Sequence, residues 1–125
     1  MRFNVTQTGR PPQTFETQKL ESGSNSISFF SESPALGDNP PIRTLSMQYP
    51  YIEFDTIDSV TIVKNNGENR IFPVHEEKVR TSSDSIELFE EMVIPHPPGL
   101  PVTQQIPTDS IPIDEVERID IVLKP

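Results

Sequence analysis

Apolar and polar residues alternate along most of this chain with the period of two that is typical of β-strands. In the segment SISFF, Ile27 and Phe29 share one face, and in RIDIVLK the residues Ile119, Ile121 and Leu123 do the same. Because successive side chains of a strand lie on opposite faces of the sheet, each segment has one face that can be buried. The alternation therefore predicts a protein built from half-buried strands.

The middle of the chain continues the alternation with a change of phase. The segment TLSMQYPY places four apolar residues on one face: Leu45, Met47, Tyr49 and Tyr51. Ile52 and Phe54 follow in the opposite phase, and the change falls at Pro50. Because proline has no N–H group for a β-ladder, we expect a bulge or a corner there, between two short strands.

A hairpin is predicted within the segment VTIVKNNGENRIFPV. Asn66 and Gly67 lie between two β-prone segments, which is the strongest short-range signal for a hairpin. We expect a turn in which both of these residues have positive φ. Pro73 marks the second arm as an edge strand or a bulged strand.

The segment SDSIELFEEMVIP is compatible with two structures. As a short helix it would begin at an Asp84 N-cap, with Glu87 completing a capping box. As a strand it would point Ile86 and Leu88 inward. The residues of 84–93 leave both possibilities open.

These patterns amount to eight or nine short strands, with glycines at the turns between them. Many short strands joined by turns rich in proline and glycine are typical of sandwiches and barrels. We therefore predict an all-β protein, specifically a jelly-roll-like β-sandwich of about eight short antiparallel strands. The 125 residues are predicted to form a single β domain, 1–125.

A proline-rich segment, 95–113, separates this pattern from a last strand that is predicted over 116–124. Six of the chain's fourteen prolines lie in this segment. Proline excludes helix and favours extended or polyproline II conformations. Apolar residues nevertheless recur through the segment, which is uncommon in a disordered linker.

We interpret the proline-rich segment as an extended arm that wraps the body or crosses to a neighbouring subunit, with a long surface loop as the alternative. Only 33% of the chain is apolar, and association through the arm would add stability to a thin core. The candidate subunit-interface residues are Pro95, Pro97, Pro98, Leu100, Pro101, Val102, Ile106, Pro107, Ile111 and Ile113.

Charge and composition argue against several classes of function. The net charge is −9 and the ten basic residues are scattered singly, so we expect no direct binding of nucleic acid. The chain has no cysteine, which excludes disulfides and thiolate chemistry. No apolar segment approaches the roughly 20 residues of a membrane span, so no membrane insertion is expected.

Few groups in the chain could support catalysis or bind a metal. His75 and Glu77 would share a face on a strand and could ligate a metal, but a solvated charged segment is the simpler interpretation. His96 lies between two prolines and is interpreted as a surface loop residue. The acidic segment DSIPIDEVERID lacks the glycine and the spacing of a calcium-binding loop. We expect no catalytic residue, no metal, no cofactor and no enzymatic activity.

The whole chain resembles the small vertex (penton) proteins of tectivirus-type icosahedral phages, which have an internal membrane. The resemblance lies in FNVTQTGRPPQTFE, in the proline-rich segment, in the ending RIDIVLKP, and in a short, acidic, cysteine-free, strand-rich chain. It implies a structural virion protein, a jelly-roll subunit that forms a homopentamer at the capsid vertex after synthesis in the host cytoplasm. The implied partners are further copies of the chain, the major capsid protein and a receptor-binding spike protein.

A second function class fits the same pattern of strands. A monomeric β-sandwich binding module could recognise carbohydrate or peptide through its loops. The two hypotheses differ in the mass expected in solution, because only the first requires self-association.

Overall fold

The computed structural model describes residues 1–95 and 99–125. The described chain folds into twelve strands: β1 (Arg2–Gln7), β2 (Gln13–Glu16), β3 (Lys19–Ser22), β4 (Ser26–Ser33), β5 (Ile42–Leu45), β6 (Tyr51–Glu53), β7 (Ile57–Lys64), β8 (Asn69–Ile71), β9 (Lys78–Thr81), β10 (Ser85–Ile94), β11 (Val102–Pro112) and β12 (Val116–Leu123). Short 3₁₀ segments, Phe54–Thr56 and Ile113–Glu115, precede β7 and β12. The predicted all-β class is confirmed, with more strands than the eight or nine expected.

The first sheet has five strands in the order β2-β1-β12-β7-β8. Its central pair, β1 and β12, is parallel, with Phe3 opposite Ile119 and Val5 opposite Ile121. The other pairs in this sheet are antiparallel. The prediction of antiparallel strands throughout is therefore wrong at this pair, where the first and last strands of the chain lie side by side.

The second sheet has seven strands, six of them in the order β11-β10-β9-β3-β4-β5. The seventh, β6, pairs with β4 beside β5, so that two successive segments share the edge of one long strand. Pro50 lies between them, in agreement with the break that the change of phase predicts at this residue.

The core lies between the two sheets. Phe3 and Phe15 of the first sheet stack with ring centroids 4.9 Å apart, and the Phe29 ring of the second sheet meets them edge-on at 5.1 and 5.2 Å. Edge-to-face contacts of this kind add to the free energy of burying the rings. Ile119 and Ile121 are buried in the same core, as the alternation in the last strand predicts.

The alternation around Pro50 is misleading in part. Tyr49 packs against the core, but Leu45, Met47 and Tyr51 are exposed, and Met47 is fully so. The predicted continuous strand ends at Leu45, and the chain bulges outward over residues 46–50 before β6 begins. Leu45 and Tyr51 belong to two separate strands and pair with Phe30 and Ser28, which lie on the side of β4 opposite the buried Ile27 and Phe29.

The β7–β8 hairpin has the predicted position but a different turn. Gly67 has a φ of +89°, whereas no residue other than glycine has positive φ in the described chain, so the prediction for Asn66 is wrong. The Gly67 N–H donates to the Lys64 carbonyl, and the Lys64 N–H donates to the Glu68 carbonyl. This is a three-residue loop that ends on a left-handed glycine. The Asn66 side chain accepts a hydrogen bond from the Glu68 N–H, which favours this turn.

The ambiguous segment 84–93 is a strand, since β10 runs from Ser85 to Ile94. Its partner is β11, so residues 102–112 of the proline-rich segment form the second arm of a long antiparallel hairpin. An unpaired arm in polyproline II conformation, or a long loop, does not describe these residues. The segment is extended, as its prolines require, and it is held by a β-ladder within its own chain.

Candidate interaction surface

The β10–β11 hairpin extends beyond the body of the protein. The ladder pairs ten residues of β10 with residues of β11, from Ser85 opposite Pro112 to Ile94 opposite Val102. The first half of the hairpin is covered by the other sheet, and Ile86, Leu88 and Ile111 are buried in the core. The second half, which comprises 90–95 and 99–106 and is called the hairpin tip below, is mostly exposed.

A β-bulge marks the boundary between the two halves. Leu88 lies opposite Asp109 and Phe89 lies opposite Pro107, so Thr108 is an extra residue on β11. Pro107 has no N–H group to donate, and a bulge is one of the places where a strand tolerates proline. The local bend of a bulge re-aims the strands that follow it, here the strands of the hairpin tip.

The hairpin tip carries apolar residues on the face that continues the core face. Residues opposite each other in an antiparallel pair lie on the same side of the sheet. Glu90, Met92 and Ile94 therefore follow Ile86 and Leu88 on one side of β10, and Val102 lies opposite Ile94. Met92 is 49%, Ile94 39% and Val102 50% exposed, so no other element of the described chain fully covers them.

The opposite side of the hairpin carries Phe89 and Val93 among polar residues, and it is tied to the body at Phe89. The Arg80 guanidinium lies 5.0 Å from the centre of the Phe89 ring and donates a hydrogen bond of 3.0 Å to the Gln105 side chain. Arg80 also pairs with Glu87 at 2.9 Å. These contacts orient the base of the hairpin tip relative to β9.

A polar cluster ties the bulge to the other sheet. Arg70 of β8 pairs with Asp109 of β11 at 3.0 Å and with Glu77 at 2.9 Å, and Thr108 donates a hydrogen bond of 2.8 Å to Glu77. Burial lowers the pKa of the Arg70 guanidinium, but the hydrogen bonds and charges of Glu77 and Asp109 outweigh it, so this pKa lies above its ordinary value. Arg70 stays protonated and joins β8 and β11, which are edge strands of the two sheets.

A second exposed apolar region lies at the far edge of the seven-stranded sheet. This edge patch consists of Leu36, Ile42, Leu45, Met47 and Tyr51. It is formed by β5, β6 and the loops beside them, whereas the hairpin tip includes β11 at the opposite edge. Three of its residues, Leu45, Met47 and Tyr51, belong to the alternating segment around Pro50. That alternation predicted a buried face, whereas the three side chains are exposed.

The predicted interface residues lie in three environments. Pro97 and Pro98 lie outside the described residues, as does His96. Pro95, Leu100, Pro101 and Val102 belong to the hairpin tip and are exposed, and Ile106 is half-buried at its base. Pro107 is exposed at the bulge, whereas Ile111 is buried in the core and Ile113 packs against it. Of the described candidates, those from 95 to 107 are available to a partner.

The residues considered for metal binding are not assembled into a site. His75 is exposed in the turn before β9, and the carboxylate of Glu77 is bound by Arg70 and Thr108. Within 1–95 and 99–125, no group of three or more potential ligands lies close enough to hold a metal ion. No helix in this part of the chain is long and apolar enough to cross a membrane.

Comparison of the chain with protein-family models, with curated proteins and with solved structures found no match. The exposed hairpin tip and the edge patch are therefore interpreted from their own chemistry.

Proposed function

We propose that the protein is a structural virion subunit that associates with copies of itself, of the vertex (penton) type that its sequence resembles. The observation that carries self-association is the hairpin tip, which exposes Met92, Val93, Ile94, Leu100 and Val102. Monomeric proteins rarely expose a large contiguous apolar patch, and such a patch commonly marks a protein interface.

The structure of the hairpin tip supports the same proposal. A two-stranded ribbon is marginally stable in water unless another element covers it. Within the described chain, β10 and β11 pair with each other at the tip, and β9 contacts only the base, where its last partner on β10 is Phe89. An interface with a second chain would bury the exposed apolar side and stabilise the ribbon.

The finer assignments of this proposal come from the resemblance. The subunit is a jelly-roll sandwich that forms a homopentamer in the virion, contacts the major capsid protein and seats a spike protein. Two facing sheets support a sandwich, although the parallel β1–β12 pair departs from an all-antiparallel arrangement. The scattered basic residues and the net charge of −9 favour protein partners over direct contact with nucleic acid.

The mass in solution tests self-association. We expect size-exclusion chromatography with light scattering at micromolar concentration to give a closed oligomer, with five copies if the resemblance holds. Val102→Asp should shift the mass to a single chain, because it puts a carboxylate in the apolar contact.

Ile71→Asp is the matched control for this experiment. Ile71 is 66% exposed but lies on β8, outside both the hairpin tip and the edge patch. The control should assemble like the wild type. A wild-type protein that is monomeric at micromolar concentration would contradict the proposed self-association.

A binding module is the second candidate, and a hollow on the outer side of the seven-stranded sheet favours it. The hollow has a volume of about 250 Å³ and is lined by residues that include Phe30, Arg43 and Leu45. The Arg43 guanidinium lies 4.5 Å from the centre of the Phe30 ring. A monomeric protein that binds a glycan or peptide, with loss of binding in Arg43→Ala, would favour this function.

A further inference from the structure

We infer that the hairpin tip of one copy packs against the edge patch of the next copy, head to tail. The inference rests on the proposed self-association and names the two surfaces that meet. The partner is a second copy of this chain, because both surfaces belong to the chain and each lacks a cover within it.

The distribution of exposed apolar residues is the first reason. In the described chain, eleven large apolar residues are exposed, and ten of them belong to the hairpin tip or to the edge patch. The two groups lie at opposite edges of the same sheet. A contact between the tip of one copy and the edge patch of another covers both groups in every copy. A contact of tip with tip, or of patch with patch, leaves one group uncovered.

Charge is the second reason. Glu90 and Glu91 lie in the hairpin tip, and both are exposed. Glu90 lies on the same side of β10 as Met92 and Ile94, so two tips packed together on this side would bring two carboxylates close to one another, which disfavours that contact. The edge patch instead includes Ile42 and Leu45, which flank Arg43 in β5, and the Arg43 side chain is 57% exposed while it pairs with Glu21 and Glu32. A carboxylate of the neighbouring tip can join this network.

The open edges of the sheet are the third reason. β5 and β11 are its terminal strands, so each has one side without a ladder partner in the described chain. Open edges readily pair with a strand of another chain. The stretch Val102–Ile106 of β11 contains no proline, unlike the rest of that strand, and therefore keeps its backbone N–H groups. The edge that is competent to pair coincides with the apolar tip.

A contact between two different surfaces repeats from copy to copy. Such head-to-tail contacts either close into a ring or grow into a filament. Together with the closed oligomer of the proposed function, the inferred contact gives a ring in which every tip is covered.

The absence of cysteine makes the contact directly testable. In the double variant Val102→Cys/Leu45→Cys, five strand spacings of about 4.8 Å separate the two positions within one chain, on the order of 24 Å. A disulfide requires Cβ atoms about 4 Å apart, so no bond within the chain is possible. We expect oxidation, or a short bismaleimide, to produce a ladder of covalent multimers on a denaturing gel, ending at the number of copies in the ring.

Single variants and one displaced pair are the controls. Val102→Cys alone and Leu45→Cys alone should remain single chains, and so should Val102→Cys/Ile71→Cys. Dimers of Val102→Cys alone would show that tips meet tips, and a ladder with Ile71→Cys would place the contact at β8. Either result would overturn the inferred contact.

The mass before cross-linking separates this inference from the proposed function. An oligomer that yields no ladder in the double variant would refute the contact between tip and edge patch and leave self-association standing. A single-chain mass for the wild type would remove both. The reduced double variant should have the wild-type mass, which shows that the substitutions themselves do not prevent assembly.

Discussion

One side of β10 is buried in the first half of the β10–β11 hairpin and exposed in the second half. Ile86 is fully buried and Leu88 is 1% exposed, whereas Ile94, on the same side of the same strand, is 39% exposed. The first half packs into the core shared with the five-stranded sheet, whereas the second half has no such cover in the described chain. The apolar face of a strand is thus buried only where a second layer covers it.

This difference separates residues that stabilise the fold from residues that are available to a partner. The side chains of the first half are part of the core and stabilise the single chain. Those of the hairpin tip can contribute a comparable free energy only when another surface removes them from water. Substitutions at matched positions of the two halves should therefore affect different properties of the protein.

The largest expected effect is on folding, at Ile86. Ile86→Ala should lower the free energy of unfolding by about 2–5 kcal/mol, because it removes buried methyl groups and leaves a cavity. Ile94→Ala, the same change on the same side of β10, should lower it by less than about 1 kcal/mol. Urea unfolding measured at several protein concentrations would compare the two while revealing any contribution from assembly. Equal losses for the two variants would refute the distinction between the halves.

The next effect concerns the polar cluster at the boundary between the halves. Arg70→Met should destabilise the protein by about 1–3 kcal/mol, because it removes the cation that pairs with the Glu77 carboxylate. The Glu77 side chain is only 10% exposed and would keep just its hydrogen bond from Thr108. Arg70→Lys should recover only part of this loss, since an ammonium group cannot bind Asp109 and Glu77 with a planar fork. Thermal unfolding should show that stability falls from the wild type to Arg70→Lys and then to Arg70→Met. If Arg70→Met were as stable as the wild type, the cluster would not be what ties the two sheets together.

A smaller effect is expected at the turn of the β7–β8 hairpin, which, unlike the β10–β11 hairpin, is closed by a short loop. Gly67→Val should cost about 1–2 kcal/mol, because a β-branched residue resists the φ of +89°. Asn66→Ala should cost less, since Asn66 has negative φ and loses only the hydrogen bond to the Glu68 N–H. Melting temperatures of the two variants distinguish this turn from the predicted one with positive φ at both Asn66 and Gly67. In the predicted turn, Asn66→Ala would also add backbone strain and would lower the melting temperature further.

The smallest effect on folding is expected from removal of the hairpin tip. Replacing residues 92–104 by Asn-Gly joins the cross-strand partners Glu91 and Gln105 through a two-residue turn. The free energy of unfolding of the single chain should change by no more than about 1 kcal/mol, because few core contacts are lost and loop length has a weak effect. Light scattering should show loss of assembly. A shortened protein that still assembles would place the interface elsewhere.

The last strand shows how much local pattern can establish. The alternation of RIDIVLK predicted buried Ile119 and Ile121, and both belong to the core. Its parallel pairing with β1 was not predicted, because a pairing partner more than a hundred residues away leaves no trace in local periodicity. For the same reason, the assignment of β2, β1, β12, β7 and β8 to one sheet required the folded structure.

The candidate surface was predicted only in part. The prolines and the recurring apolar residues pointed to 95–113 as an extended segment available to a partner. The pairing of β11 with β10 and the burial of Ile111 were not foreseen, because a proline-rich sequence specifies neither a partner strand nor a register. The edge patch was missed because Leu45, Met47 and Tyr51 have the spacing of a buried strand face.

The sequence alone determined the all-β class, the position of the β7–β8 turn and the apolar faces of the strands, because these depend on backbone propensity and on a period of two. Tertiary structure decided which apolar faces are covered, since coverage depends on where the opposing sheet ends. It also decided that Arg70, Glu77 and Asp109 meet, because residues from three separate segments become neighbours only through folding. The hairpin tip is exposed for that reason: β10 and β11 continue as a paired ribbon where no other element of the described chain covers them.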